Sequence, residues 1–560
     1  MNKEKNNKET KKAGLKISSS FKFTIITIVL IAVFSVALTP VTLQNDTFYT
    51  IKIGEYILEN GINMQDPFSW HQDLAYTYPH WLYDVITYLI YNGFGMTGIY
   101  IVTCILSAIL GISIYVVNTK LTKNKIVSFI ITIGAMYLLR SYIAARAQLV
   151  TFILFIWTIF FIEKFLETKK RRYAVGLIII PILISNLHLA VFPFYFELYL
   201  PYIAEYIISS FAESIIYRKA SVRELKRKIK KLSKDESNQA KVEELQKELK
   251  ELEEKIDKIK IKRSKELQNP YKIKLTRNSN VKWLILVMII CLFTGLLTPL
   301  GDTPYTYLVK TMQGNTTHNI NEHLPMTLSN ETEILCVLII FLAILIFTKV
   351  KIRLSDLFML GGLFYLMITT KRQVTMFVLI CSGILNRLIV DLVNKYTKIK
   401  FEQVEKKLTS IIGVLVMTIV ILAFTYYVVR DKVDDTYTDE SAYPVQACDY
   451  ILENIDLGQA RFYNEYNYGS YMLYRGIPVF IDSRADLYAP EFSGKEDDIF
   501  MDFINTSSIG KFYEDTFKKY NITHVILYRN SKMNMIITKT RDQNYKELYS
   551  DKYFIVYERK

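Results

Sequence analysis

The sequence predicts a polytopic α-helical membrane protein that carries a coiled-coil hairpin insertion and a small C-terminal α/β domain. Three features lead there. Apolar runs of bilayer-crossing length recur along the chain, basic residues gather in alternate connecting loops, and short strand-like runs replace the apolar ones after about residue 430. Hydrophobic residues make up 51% of the 560, Tyr and Phe number 40 and 32, and Gly plus Pro is only 34, which excludes a disordered chain and a collagen-like fibre.

The first apolar run, 23–43, follows seven Lys between Lys3 and Lys22. It is longer than a signal-peptide core and shows no small-residue cleavage site, so it reads as the first span behind a basic cytoplasmic tail, 1–22. Further runs lie at 96–117, 126–140, 149–165, 174–190, 191–211, 283–299, 333–349, 355–370, 374–393 and 410–429, making eleven spans in all. A helix needs about 20 apolar residues to cross a core of ~30 Å, and these runs are of that order. Counted this way, cations fall on one side: Lys120, Lys123 and Lys125; Lys169–Arg172; 214–282; Lys349, Lys351 and Arg353; and Lys395–Lys407. The other side has Lys52 alone in 44–80 and Lys310 alone in 300–331. The positive-inside rule then puts the N-terminus in the cytoplasm and the C-terminal domain outside, in a multi-pass cell-membrane protein. The membrane part divides into 23–213 and 283–430, and 44–82 is the first outer loop.

Segment 214–282 holds 22 Lys/Arg against 11 Asp/Glu, so 22 − 11 = +11 of the net +15 sits there. A basic segment beside a membrane faces anionic lipid head groups, and no nucleic-acid partner is expected. Within it Leu225, Ile229 and Leu232, then Val242, Leu245, Leu249, Leu252, Ile256 and Ile259, alternate spacings of three and four. That seam predicts an antiparallel hairpin turning at Ser233–Asn238, or self-association or a protein partner through 221–266. The region 431–560 contains strand-like runs Ala460–Tyr463, Pro478–Asp482, His524–Tyr528 and Tyr553–Tyr557, with helical stretches Val445–Asn454 and Ile509–Tyr520 between them. Four of the five Cys lie in apolar runs and none forms a CxxC, so neither a disulfide framework nor a zinc site is indicated.

Candidate chemistry gathers on the predicted outer side. Asp46 follows the first span within a few residues, where a partly desolvated carboxylate can act as a general base, or simply cap the helix that begins after it. At similar depth lie Arg140 and Arg146, Asn186 and His188, Lys371 and Arg372, and the loop containing Glu322 and His323. Guanidinium groups at the interface suit bidentate phosphate binding; snorkelling to lipid phosphate is the plainer alternative. Asp482, Arg484 and Asp486 form a cluster that either binds an acceptor glycan or a cation, or pairs internally and pins the domain to the outer loop.

Together these segments resemble the GT-C superfamily of membrane glycosyltransferases, in particular its bacterial, largely uncharacterised members related to protein mannosyltransferases and aminoarabinose transferases. The resemblance rests on Asp46, the Gly54–Gly61 helix, Asp66-Pro-Phe-Ser69 and His80-Trp81-Leu82. Further along it rests on Arg146-Ala-Gln148, Asn186-Leu-His188, Thr298–Gly301 with Asn321-Glu322-His323, and Gly469–Tyr471 with Phe480–Tyr488. Ala147 stands where the pattern has Pro, and His323 where it has Trp. What the resemblance implies is a transferase that uses a polyprenyl-phosphate-linked sugar at the outer face. Asp46 would be the base on the acceptor, with Asp66 as its partner or a donor ligand. Arg140, Arg146, Lys371 and Arg372 would hold the donor phosphate, and His80, Trp81, Asn186, His188, Glu322 and His323 would line the pocket.

The expected reaction is an inverting sugar transfer to a glycan, lipid or protein acceptor at the cell surface. No metal is demanded, although the acidic loops have the chemistry to take a divalent cation. The alternatives are a transporter or flippase of lipid-linked saccharides and a non-catalytic envelope assembly protein.

Overall fold

A computed structural model describes residues 18–216, 219–233, 239–266, 272–431 and 436–560. Most of the basic tail and of the turn Ser233–Asn238 therefore lies outside the described residues. The chain is mostly helical: α1 (Ser19–Leu38), α2 (Asn45–Asn60), α3 (Trp81–Thr122), α4 (Lys125–Leu139), α5 (Ala147–Thr168), α6 (Arg171–Leu187), α7 (Phe192–Glu197), α8 (Leu200–Ile216), α9 (Lys219–Leu232) and α10 (Gln239–Glu266) precede α11 (Val281–Phe293). After these come α12 (Thr303–Gln313), α13 (Thr316–Asn319), α14 (Thr332–Phe347), α15 (Leu354–Thr369), α16 (Val374–Tyr396), α17 (Phe401–Leu408) and α18 (Ile411–Val429). The C-terminal domain adds α19 (Val445–Asn454) and α20 (Tyr466–Tyr474).

Six described helical segments are long and apolar enough to cross a membrane: Ser19–Leu38, Trp81–Thr122, Lys125–Tyr142, Ala147–Thr168, Lys371–Tyr396 and Ile411–Val429. Shorter apolar helices at Val281–Leu296, Thr332–Phe347 and Leu354–Thr369 coincide with other expected runs. The run 191–211 is broken into α7 and α8. Pro193 and Pro201 each sit near the start of one piece, where a missing N–H costs nothing. The first part of α3 reaches back to Trp81, well before the apolar run, and Gly95 absorbs the resulting kink at φ 62°.

The bundle core is largely aliphatic and aromatic, and small and hydroxylated residues bring some of its helices close together. At Gly111 a Cβ would stand 2.6 Å from Ser35 Oγ, so the side chains of α1 pack directly on the backbone of α3. Ser107 donates to the Ser35 carbonyl at 2.9 Å, and Thr27 donates to the Tyr115 hydroxyl at 3.0 Å. At the end of the bundle away from the C-terminal domain, Arg353 bonds Glu163 at 2.9 Å and Asp356 at 2.7 Å, and Arg387 also reaches Asp356, tying α5, α15 and α16 together. The same end carries α9 and α10, which pack on each other with Leu225 and Ile256 buried and Lys226 paired to Glu253 at 2.8 Å. A two-residue parallel pairing of β1 (Ile273–Lys274) with β2 (Ile352–Arg353) fixes the chain leaving that insertion.

The C-terminal domain holds β3 (Phe462–Tyr463), β4 (His524–Tyr528), β5 (Tyr545–Ser550) and β6 (Phe554–Arg559) in one sheet of order β3-β4-β6-β5. β3 lies parallel to β4, and β6 is antiparallel to both β4 and β5, with Ile526 opposite Val556. The expected strand at Pro478–Asp482 is not one. Its Phe480 amide and Ile481 carbonyl bond the buried Asn464 side chain at 2.8 and 2.7 Å, and Val479 bridges to Ser69 of the long loop 61–80 instead of joining the sheet. The strand at Tyr545–Ser550 had no expectation, because its Lys546, Glu547 and Ser550 make it read as polar loop.

One hydrophobic core joins that loop and α2 to the domain, including Phe48, Tyr78, Tyr443, Tyr471, Phe480 and Tyr488. Polar contacts lock the same junction. Trp70 Nε1 donates to the Phe462 carbonyl at 2.9 Å, His71 Nε2 meets the Phe480 carbonyl at 2.9 Å, and Asn45 Nδ2 donates to the Tyr466 carbonyl at 3.0 Å. Arg484, almost wholly buried, bonds Asp66 at 2.6 Å and Asp482 at 2.7 Å, and the Tyr488 hydroxyl donates to Asp482 at 2.6 Å. Of the two readings of this cluster, the geometry of Asp482 and Arg484 is that of internal pairing against the loop.

Two outcomes follow for stability. Arg484→Met leaves two buried carboxylates without their cation, a change that costs about 3–5 kcal/mol; the purified protein should melt well below wild type in a thermal scan. His71 is lowered to about 4, chiefly by burial. The stability it lends is complete above its ordinary value of 6.5 and is lost as pH falls from there toward about 4. His71→Gln, which keeps a donor for Phe480, should flatten that part of the Tm–pH curve.

Candidate functional site

A cavity of about 1340 Å³ lies between the helix bundle and the C-terminal domain. Its wall is assembled from helix ends, which is why residues so far apart in sequence meet there. Asp46 is in the first turn of α2 but is not its cap; that position is taken by Gln44, and the Asp46 carboxylate is left for another partner. Arg146 provides it. As the extended N-cap residue of α5, it sends its guanidinium across to Asp46 and forms an ion pair. Ala147 occupies the first position of α5, a place that proline also tolerates, so this departure leaves the helix start intact.

The other guanidinium belongs to Arg372, in the short turn before α16. Main-chain bonds from Lys371 N to the Leu324 carbonyl and from Arg372 N to the Glu322 carbonyl, both 2.9 Å, bind this turn to the 322–324 loop. Glu322 consequently stands between the two cations, 3.6 Å from Arg146 and 4.0 Å from Arg372. Gln148 accepts from Arg372 at 3.5 Å. Burial would lower the affinity of Arg146 for its proton, but Asp46 and Glu322 outweigh it and raise that affinity above the ordinary value.

His80, the residue before α3, and His188, at the end of α6, face each other with ring centres 5.5 Å apart. His188 Nδ1 shares a 2.8 Å hydrogen bond with Thr151 Oγ1. Burial lowers His80 to about 4, with Asp46 opposing and Arg146 and Arg372 adding to the shift. His323 is likewise lowered to about 4, by burial first and then by Arg372. On the domain side Asp486 accepts from the Tyr307 hydroxyl at 2.7 Å and from Thr316 at 3.1 Å, and burial raises its pKa.

Of the residues singled out from the sequence, Asp46, His80, Arg146, His188, Glu322, His323, Arg372, Arg484 and Asp486 line this cavity. The others take different places. Arg140 stacks on Tyr137 and bonds Glu333 at 2.9 Å, and Lys371 pairs with Glu331 at 2.9 Å. Trp81 donates to Asn186 at 3.1 Å, and Asn186 donates to the Leu297 carbonyl at 2.9 Å, making a strut behind the wall. Asp66 is sealed under Arg484. Burial alone would raise it, but Arg484 and the Ser69 amide hold it below the usual carboxylate range. Among the described residues no three His, Cys, Asp or Glu side chains converge as a metal site would require.

Tyr49, Tyr76, Tyr307 and Tyr466 also line the cavity, as does Gln148, which the sequence presents only as the end of the Arg146-Ala-Gln148 motif. The four tyrosines are among 40 and carry no local signal.

Because Glu322 competes for both guanidiniums, Glu322→Gln should tighten the binding of inorganic pyrophosphate. One half-exposed ion-pair partner is worth up to about 1 kcal/mol, a gain of roughly fivefold at most, readable by titration calorimetry.

No family model matches the chain, and no curated protein matches it in sequence. Among solved structures it is similar to the oligosaccharyltransferase of Archaeoglobus fulgidus in the apo form, with a TM-score of 0.53 and 11% identity over 96% of this chain and 74% of that one. At such identity the likeness is one of fold: this chain shares the fold of that oligosaccharyltransferase.

Proposed function

We propose that the chain is a glycosyltransferase that takes a sugar from a polyprenyl-phosphate carrier and passes it, with inversion, to an acceptor at the outer face of the membrane. The single observation that carries this reading is the convergence of Asp46, Arg146, Glu322 and Arg372 on one large cavity. A lipid-linked sugar presents an apolar chain, a phosphate and an anomeric carbon in series. The cavity offers Phe194, Leu308, Met312 and Leu366 to the first and two guanidiniums to the second. Its carboxylate Asp46 stands beside them for the incoming hydroxyl. In this scheme the acceptor oxygen bonds to the anomeric carbon while that carbon's bond to the phosphate oxygen breaks, and the hydroxyl proton passes to a base in the cavity wall. Arg372 and Arg146 take up the negative charge that grows on the departing phosphate, and their fixed position makes them effective. Glu322 holds both cations until the phosphate arrives and yields to it.

The test is mass spectrometry of surface glycans and lipid-linked sugars in cells lacking the gene, complemented with wild type, Asp46→Asn or Arg372→Ala. Wild type should restore a missing sugar, while both variants should leave the donor lipid accumulated, with losses of about 10²-fold or more in transfer. Full restoration by Asp46→Asn and Arg372→Ala would overturn the reading and favour a transporter or assembly role.

A further inference from the structure

Behind the cavity wall lies a carboxylate to which nothing so far assigns a role. Asp84 is in the first turn of α3, one turn after His80, and is wholly buried. Neither of its oxygens has a hydrogen bond of good geometry, although the Thr50 hydroxyl of α2 lies beside it. The burial is built in by Gly54 of α2, where a Cβ would stand 2.1 Å from the Asp84 carbonyl oxygen. The two helices therefore touch through their backbones and leave no room for solvent. An isolated carboxylate in such a place is strongly disfavoured unless it shares a proton or meets a cation.

The groups that face it from each neighbouring element narrow the choice. α2 contributes Tyr49, the preceding loop contributes Tyr76, whose hydroxyl is also without a partner, and α3 itself contributes Tyr83. The C-terminal domain contributes Arg484, which is already committed to Asp66 and Asp482. That leaves His80, whose Nδ1 is 4.0 Å from Asp84 Oδ1. A N–H···O bond runs at about 2.9 Å, so a ring shift of about 1 Å closes the gap. The same side chain lines the cavity and feels Asp46, Arg146 and Arg372.

We propose that Asp84 is a positioning residue that holds His80 by its Nδ1–H, so that Nε2 faces the cavity and takes the proton of the acceptor hydroxyl. The second half of this statement rests on the transferase reading; the pairing itself does not. Asp46 is in contact with the Arg146 guanidinium, which fits it to orient the hydroxyl and stabilise charge. His80 is neutral at neutral pH and has a nitrogen free. As the acceptor oxygen bonds to the anomeric carbon, the electron pair of the breaking bond stays on the carrier phosphate. The hydroxyl proton moves to Nε2, and Asp46 on the cavity side balances the imidazolium so formed while Asp84 keeps its hold on Nδ1–H. Departure of the products reopens the cavity, and the proton returns to water. The arrangement is the carboxylate–imidazole logic by which a buried acid fixes a histidine tautomer.

The experiment reads the tautomer directly. Full-length protein labelled with ¹⁵N-histidine contains six imidazoles, and the His80 signals are identified by their loss in His80→Gln. The expected wild-type signature is a protonated Nδ1 and an unprotonated Nε2, lost in Asp84→Leu. That variant should also lower turnover about 10²-fold while carrier-phosphate binding stays within about twofold. A protonated Nε2 in wild type, or wild-type turnover in Asp84→Leu, overturns the proposal. The wild-type tautomer stands as a test even where the Leu variant fails to fold. If the tautomer is as expected but wild type turns over no polyprenyl-phosphate sugar, the transferase reading falls and the pairing of Asp84 with His80 remains supported.

Discussion

Arg484 is the residue on which the rest of this architecture hangs. Its guanidinium is buried between Asp66 of the long loop and Asp482 of its own domain, at 2.6 and 2.7 Å. A cation so placed is costly to desolvate, and the carboxylates repay that cost only while both stay in position. The interaction therefore works less as a source of stability than as a registry pin: it admits one docking of loop on domain. With the loop so held, His80 and the start of α3 are fixed at one edge of the cavity, and the segment 482–488 delivers Asp486 to Tyr307 and Thr316 at the other. The cavity is what remains between them.

The same logic explains why so much of the fold was legible in the sequence and why part of the site was not. Helices that cross a bilayer must satisfy their own backbone, so they announce themselves as long apolar runs. The runs that became α1, α3, α4, α5, α16 and α18 are of that kind. The segment Pro478–Asp482 misled because a short apolar run such as Val479–Ile481 reads the same whether a ladder or a side chain satisfies its backbone. Here Asn464 does so, sixteen or seventeen residues away in sequence. Among the site residues, Asp46, Arg146 and Arg372 were visible because charge is scarce at that depth. Arg140 and Lys371 shared the same signal but face Glu333 and Glu331, acids whose position depends on how α14 packs rather than on any local pattern. Asp66 and Asp46, equivalent as loop aspartates in the sequence, are separated only by which arginine each meets.

The charge balance of the cavity argues for a particular kind of ligand. Arg146 is matched by Asp46, and Glu322 spans the interval to Arg372, so the site carries no large excess of positive charge before anything binds. A free anion from solution would have to displace Glu322 and give up its own hydration, gaining little. An anion delivered on an apolar chain meets a different balance. In the proposed scheme its tail would lie on the aliphatic and aromatic side chains that α7, α12 and α15 give to the cavity, and that binding energy would draw Glu322 away from the two guanidiniums as the phosphate enters. On the proposed reading, the acid that weakens the cation pair toward simple anions would thus make it selective for a phosphate that arrives attached to a lipid.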